Sequence, residues 1–192
     1  DNCDFEMEFE KLGAEVHAID ASITQFPISG TKVKFESMFL GHIADTNFVS
    51  LEEWTDSYPG GDGILKLDIE GAEYSCILGA SSRVLRKFEH IVVEIHGMER
   101  IATYYGVAQV VDLISKITDS HHLVHVHGNN VAPAFNFGGN SVPVSLECTF
   151  TRQDSQEFNT LSPPFRETVY QQGKDQPCIA GLPEAQIVRR PQ

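Results

Sequence analysis

Apolar residues recur along this chain with two different periods, and the changes of period mark its elements. Near the start, Phe5, Phe9 and Leu12 fall at i, i+4 and i+7, and Gly13 follows, so Cys3–Gly13 reads as a helix with a glycine stop. Glu15–Asp20 and Lys32–Ser37 alternate as strands should, separated by a loop carrying Pro27, Ser29 and Gly30. Ser50-Leu51-Glu52-Glu53-Trp54 has the spacing of a capped helix start, with Ser50 as N-cap and Glu53 at the third position. Pro59–Gly63 is a loop. Ile64–Asp68 and His90–Ile95 are apolar runs of the type that is buried within parallel sheets. Between them, Glu70–Glu73 opens one helix expected to run through Ile77 and Leu78 towards Leu85. A longer helix is expected over Val107–Thr118, with Val107, Val110, Val111, Ile114 and Ile117 on its apolar face.

Two late strands, Leu123–His127 and Ser145–Phe150, are joined by a Gly/Asn-rich loop with no helical pattern. Strand and helix alternate before them, which implies an α/β class with a mostly parallel sheet; the closing pair implies an antiparallel hairpin at one edge. From about Gln153 the chain is polar and punctuated by proline, and is expected to be an extension lying on the surface. The expected division is thus a domain over 1–152 and an extension over 153–192.

Composition narrows the function classes. The 192 residues carry 14 Lys+Arg against 27 Asp+Glu, a net charge of −13. That surface repels phosphate backbones and anionic lipid, so neither a nucleic-acid binder nor a membrane-surface protein is expected. No apolar run approaches the ~20 residues of a membrane span. Cys3, Cys76, Cys148 and Cys178 have neither a CxxC pair nor tight spacing, which disfavours a zinc cluster or a disulfide framework. With no N-x-S/T site, the expected location is cytoplasmic. The start at Asp1-Asn2-Cys3, without Met, is read as that of a fragment.

Ligands of open α/β sheets bind beyond the carboxyl ends of the strands, so the residues there are the candidates: Asp20, Asp68 with Glu70, His96 and His127. Asp20 has the geometry to hold a ribose diol, or else caps a turn. Asp68, Glu70 and Glu73 crowd a strand-to-helix junction, where a helix N-terminus alone could explain them. They could equally deprotonate a hydroxyl, hold a metal or fix a cationic cofactor. His96 could serve as general base or simply bond within a loop. His125 and His127 share one face of a strand and form either a metal pair or a polar rim. His121 and His122 are expected to be solvated.

The stretch Leu65-Lys66-Leu67-Asp68-Ile69-Glu70-Gly71-Ala72-Glu73, followed by Ile77-Leu78-Gly79-Ala80, resembles the central D-x-E-G-x-E motif of FkbM-type methyltransferases. Phe5–Asp20, Ser50–Trp54, Val92–Gly97, His122–Asn130 and Pro143–Thr149 follow in matching order, so the similarity extends over about 4–150. It implies a Rossmann-like methyltransferase fold and S-adenosylmethionine as cofactor. Asp20 and Asp68 would then bind cofactor, and His96, Asp68 and Glu70 would be catalytic. The acceptor would be the hydroxyl of a small molecule, sugar or glycolipid. A divalent ion on Asp68 and Glu70, as some O-methyltransferases use, is the minor alternative, and no metal ligand is assigned. The family's first strand and Gly-rich turn would precede Cys3 in the chain, and that strand would lie centrally in the sheet, between the strands ending at Asp20 and Asp68. Two other readings remain: a methyltransferase-like module without activity, and a nicotinamide oxidoreductase. The second would need a G-x-G-x-x-G turn before residue 1 as well as a Tyr-x-x-x-Lys or similar pair.

Overall fold

The computed structural model describes residues 3–56, 58, 63–131 and 134–155. Helix α1 (Asp4–Lys11) has the expected period, but none of its residues is buried; Phe5 and Phe9 pack on one another and Lys66 Nζ lies over the Phe5 ring. Strands β1 (His17–Ile19) and β2 (Lys34–Glu36) pair in parallel. A second parallel pair, which the pattern did not announce, joins β3 (Phe39–Gly41) and β4 (Phe48–Ser50). Phe39 stacks on Phe48 across it.

Helix α2 (Leu51–Asp56) starts on the predicted capping box: Glu53 N donates to Ser50 Oγ at 3.2 Å, and Ser50 Oγ donates back to Glu53 Oε2 at 3.1 Å. Strand β5 (Gly63–Leu67) leads through a turn into α3 (Glu73–Gly79). The single helix expected up to Leu85 is instead two. Ala80 is extended, and Ser81 caps the short α4 (Ser82–Leu85) by accepting Val84 N–H at 3.3 Å. Ser81 N and Oγ also donate to Glu52, which ties the break to α2.

Strand β6 (Phe88–Ile95), a 3₁₀ turn (Met98–Ala102) and α5 (Tyr104–Thr118) follow. The face of α5 is displaced from the predicted one. Gly106, Leu113 and Ile117 are buried, with Val110 and Ile114 packed beside the core, whereas Val107 and Val111 are exposed. Gly106 is required by close approach: a Cβ there would stand 1.9 Å from Arg100 O.

Strands β7 (His121–Gly128) and β10 (Leu146–Arg152) form the predicted antiparallel hairpin. Its connection holds a smaller hairpin, β8 (Phe135–Phe137) and β9 (Asn140–Val142). Gly138 and Gly139 make the turn with φ of 58° and 82°, the left-handed pair that a tight two-residue hairpin demands.

The main sheet has the order β5-β6-β10-β7, with β5 parallel to β6 and β10 antiparallel to both its neighbours. Three of its four strands therefore point the same way, and the hairpin occupies one edge as expected. Strands β1 and β2 form a sheet of their own, so the strand preceding Asp20 and the strand entering Asp68 are not hydrogen-bonded neighbours. The core gathers Leu65, Leu67, Ile77, Ile91, Val93, Leu113 and Phe150, among others, between the main sheet and helices α3–α5. Cys76 and Cys148 sit within it as free thiols, pushed by burial up to about 12 and hence unreactive. Residues 156–192, nearly all of the expected extension, and with them Cys178, lie outside the described residues.

His121, expected in solvent, is fully buried because β7 begins on it, opposite Arg152. Its ring bonds Ser120 Oγ at 2.8 Å and Phe88 O at 3.1 Å, which suits the neutral form; burial holds its pKa below the usual histidine value. The unfolded chain therefore takes up this proton before the folded one does. The stabilising effect of neutral His121 is complete above about pH 6.5 and is lost as pH falls below it. Urea unfolding at pH 7.5 and 5.5 should show a lower midpoint at 5.5, with a smaller drop in His121→Gln. An equal drop in both would clear His121 of the effect.

Candidate active site

Strands β5, β6 and β7 run in one direction, so their carboxyl ends share one edge of the main sheet, and the start of the opposed β10 joins them there. Asp68 follows β5, His96 follows β6, Asn129 follows β7, and Ser145 precedes β10. With Glu70, Glu94 and Glu99 they line a pocket of about 520 Å³, within the range of small-molecule sites.

The turn after β5 explains why the motif needs its last acid. Glu70 has φ 54° and Gly71 φ 102°, so the chain makes two successive left-handed steps before α3. Glu73 steadies that turn from inside. Its side chain is fully buried, and Oε1 accepts the N–H groups of Ile69 at 3.2 Å and Gly71 at 3.1 Å. The same oxygen lies 2.9 Å from His96 Nδ1. One buried carboxylate thus fixes both the acidic turn and the histidine of the next strand.

With Nδ1 donating to Glu73, the other ring nitrogen faces the pocket. His96 Nε2 lies 3.9 Å from Asp68 Oδ1, 3.5 Å from Glu70 Oε2 and 3.5 Å from Glu94 Oε1. Burial works against a charge on His96, but the bond to Glu73 and the charges of Glu73, Glu94 and Glu70 outweigh it and raise its pKa. Burial, reinforced by the Asp68 charge, raises that of Glu94. Asn129 Nδ2 donates to Glu94 Oε1 at 2.8 Å, and Asn129 N donates to Ser145 O at 3.1 Å, so the β7–β10 hairpin positions this acid. Tyr74 OH donates to His96 O at 3.2 Å and holds the backbone of the histidine in place.

Asp68, Glu70 and His96, singled out from the sequence, are therefore brought together. Asp20 is not among them. It follows β1 in the separate sheet, is exposed, and accepts Ser22 N–H at 2.7 Å, as a turn-capping acid does. His127 is buried and its Nδ1 lies 3.2 Å from Glu147 Oε2, away from the pocket lining. Glu94, Asn129 and Ser145 were not anticipated as site residues. For Glu94 a signal existed: a charged residue one step inside the end of the run Ile91–Ile95, which is otherwise apolar.

No curated protein and no solved structure matches the chain. The family model described as the methyltransferase FkbM domain matches residues 13–122, more than half of its length and inclusive of β5, the acidic turn, Glu73 and His96. This chain belongs to the FkbM methyltransferase domain family.

Proposed function

We propose that the protein is an S-adenosylmethionine-dependent methyltransferase of Rossmann-like fold, with residues 1–152 as its catalytic domain, 153–192 as an extension, and the hydroxyl of a small molecule, sugar or glycolipid as acceptor. The observation that carries this reading is His96 Nε2 facing three carboxylates in a pocket at the carboxyl ends of co-directional strands, in a chain of the FkbM family. Its donor set fits the cofactor: Asp68, Glu70 and Glu94 offer negative charge to a sulfonium cation. When bound, S-adenosylmethionine supplies an electrophilic methyl group.

The protein's own residues supply position and proton removal. His96, its Nδ1 tied to Glu73, presents Nε2 to take the hydroxyl proton of the acceptor. Asp68 and Glu70 stabilise the imidazolium so formed, at 3.9 and 3.5 Å. The pocket fixes the approach of the hydroxyl, and orientation of this kind supplies much of the rate in a bimolecular displacement. Asp20 would bind the cofactor through its ribose.

Calorimetric titration with S-adenosylhomocysteine tests this. Binding of one molecule per chain is expected, weakened roughly tenfold in Asp20→Ala, the loss of about 1.4 kcal/mol for a hydrogen-bonded charged partner. Unchanged affinity in Asp20→Ala would remove that residue from the site. Absence of binding by the parent chain would replace the enzyme with a methyltransferase-like binding module.

A further inference from the structure

We propose that Asp68, Glu70 and His96 form a binding site for one divalent cation of the manganese or zinc type, with Glu73 as the residue that orients the histidine ligand. One ligand atom from each of the three lies within 4.8 Å of the others. Two donors about 2.1 Å from one ion stand roughly 3 Å apart when adjacent and about 4.2 Å apart when opposite. The distances of 3.5 and 3.9 Å from Nε2 to Glu70 and Asp68 fall in that interval and exceed direct hydrogen bonds.

The partner of the other ring nitrogen is a separate observation that points to a ligand. Metal-bound histidines commonly donate their other ring N–H to a carboxylate, which fixes the tautomer and makes the ligand nitrogen more basic. Glu73 does this from a fully buried position, with Oε1 2.9 Å from Nδ1 and Oε2 left without a partner among the described residues. Burial of this carboxylate is offset by the N–H groups of Ile69 and Gly71 and by the His96 ring, so the ring's orientation is tied to the acidic turn that carries Asp68 and Glu70. Glu94, fixed by Asn129, adds a third carboxylate 3.5 Å from Nε2. One nitrogen among carboxylate oxygens is a donor set for manganese or zinc rather than for soft thiolate-seeking metals.

The site's role in catalysis rests on the methyl-transfer reading; the site itself does not. In that reaction the ion would act as Lewis acid on the acceptor hydroxyl, in place of free Nε2. Glu94 would then receive the proton.

The test uses the full 192-residue chain, stripped with a chelator and titrated with Mn²⁺ and, separately, Zn²⁺. Calorimetry reads both, and loss of the free-ion electron paramagnetic signal reads Mn²⁺. One ion per chain is expected. Asp68→Asn and Glu70→Gln should each bind at least tenfold more weakly, Glu73→Gln about 10–100-fold more weakly, and the remote Asp112→Asn unchanged. Glu70 is exposed, so its variant keeps the fold and the comparison stands even where Glu73→Gln unfolds. No saturable binding of either ion, or affinity retained in Asp68→Asn and Glu70→Gln, overturns the proposal. Ion binding without S-adenosylhomocysteine binding would sink the methyl-transfer reading alone, and the reverse would sink the metal site alone.

Discussion

Replacing His96 by alanine is expected to lower methyl transfer by about 10²–10⁴-fold, the usual contribution of a positioned proton acceptor. The substitution removes Nε2, the one neutral-form base among the pocket's carboxylates, whether it works free or through an ion. It also removes one of three donors to Glu73 Oε1, but Ile69 N and Gly71 N remain at 3.2 and 3.1 Å. The acidic turn should therefore persist, with a stability cost of about 1–3 kcal/mol for the weakened buried carboxylate. Asp68→Asn should behave similarly in turnover with less effect on stability, since its side chain is partly exposed. S-adenosylhomocysteine affinity should change far less than turnover in His96→Ala. The measurement is single-turnover transfer at saturating cofactor, with circular dichroism to establish folding. Parent-level transfer in both variants would take the chemistry away from this pocket.

Much of that pocket was legible because its signals are local. A strand that ends on an acid, followed by Gly71 and a helix, can be read from ten residues, and the box of Ser50 and Glu53 from four. What was not legible depends on partners far along the chain. Glu73 looked like one of three acids at a helix start; its task depends on His96, 23 residues away. Asn129 and Ser145 are ordinary polar loop residues until the antiparallel register of β7 and β10 sets them beside the ends of β5 and β6. The face of α5 was misjudged because every valine counted equally, while packing chose Leu113 and Gly106 and left Val107 and Val111 outside. The break at Ser81 did have a local signal, a serine N-cap, hidden within a pattern that stayed apolar on both sides. His121 had no such signal: its neutral state is set by burial, and its bonds to Ser120 and Phe88 exist only once β7 is in place.

Phe150→Ala is the largest stability loss expected, about 3–5 kcal/mol. Phe150 is fully buried in β10, which is flanked by β6 and β7, and it stands opposite Ile91 on one side and Leu123 on the other. Truncation forfeits the transfer of the ring from water and leaves a cavity that backbone pairing on both sides prevents from collapsing. Domains are typically stable by only about 5–15 kcal/mol, so the loss is a large share of the total. At roughly 2–4 °C per kcal/mol for a chain of this size, Tm should fall by about 6–20 °C. Phe150→Leu keeps most of the volume and should cost less than about 1.5 kcal/mol. The effect should reach the pocket as well, because β10 joins the strand ending at His96 to the strand ending at Asn129, and its own start carries Ser145. Weakened S-adenosylhomocysteine binding, measured well below the lowered Tm, should therefore accompany the loss of stability. A Tm within about 2 °C of the parent would mean that the hairpin melts apart from β5 and β6, and that the two halves of the pocket are held together by something other than β10.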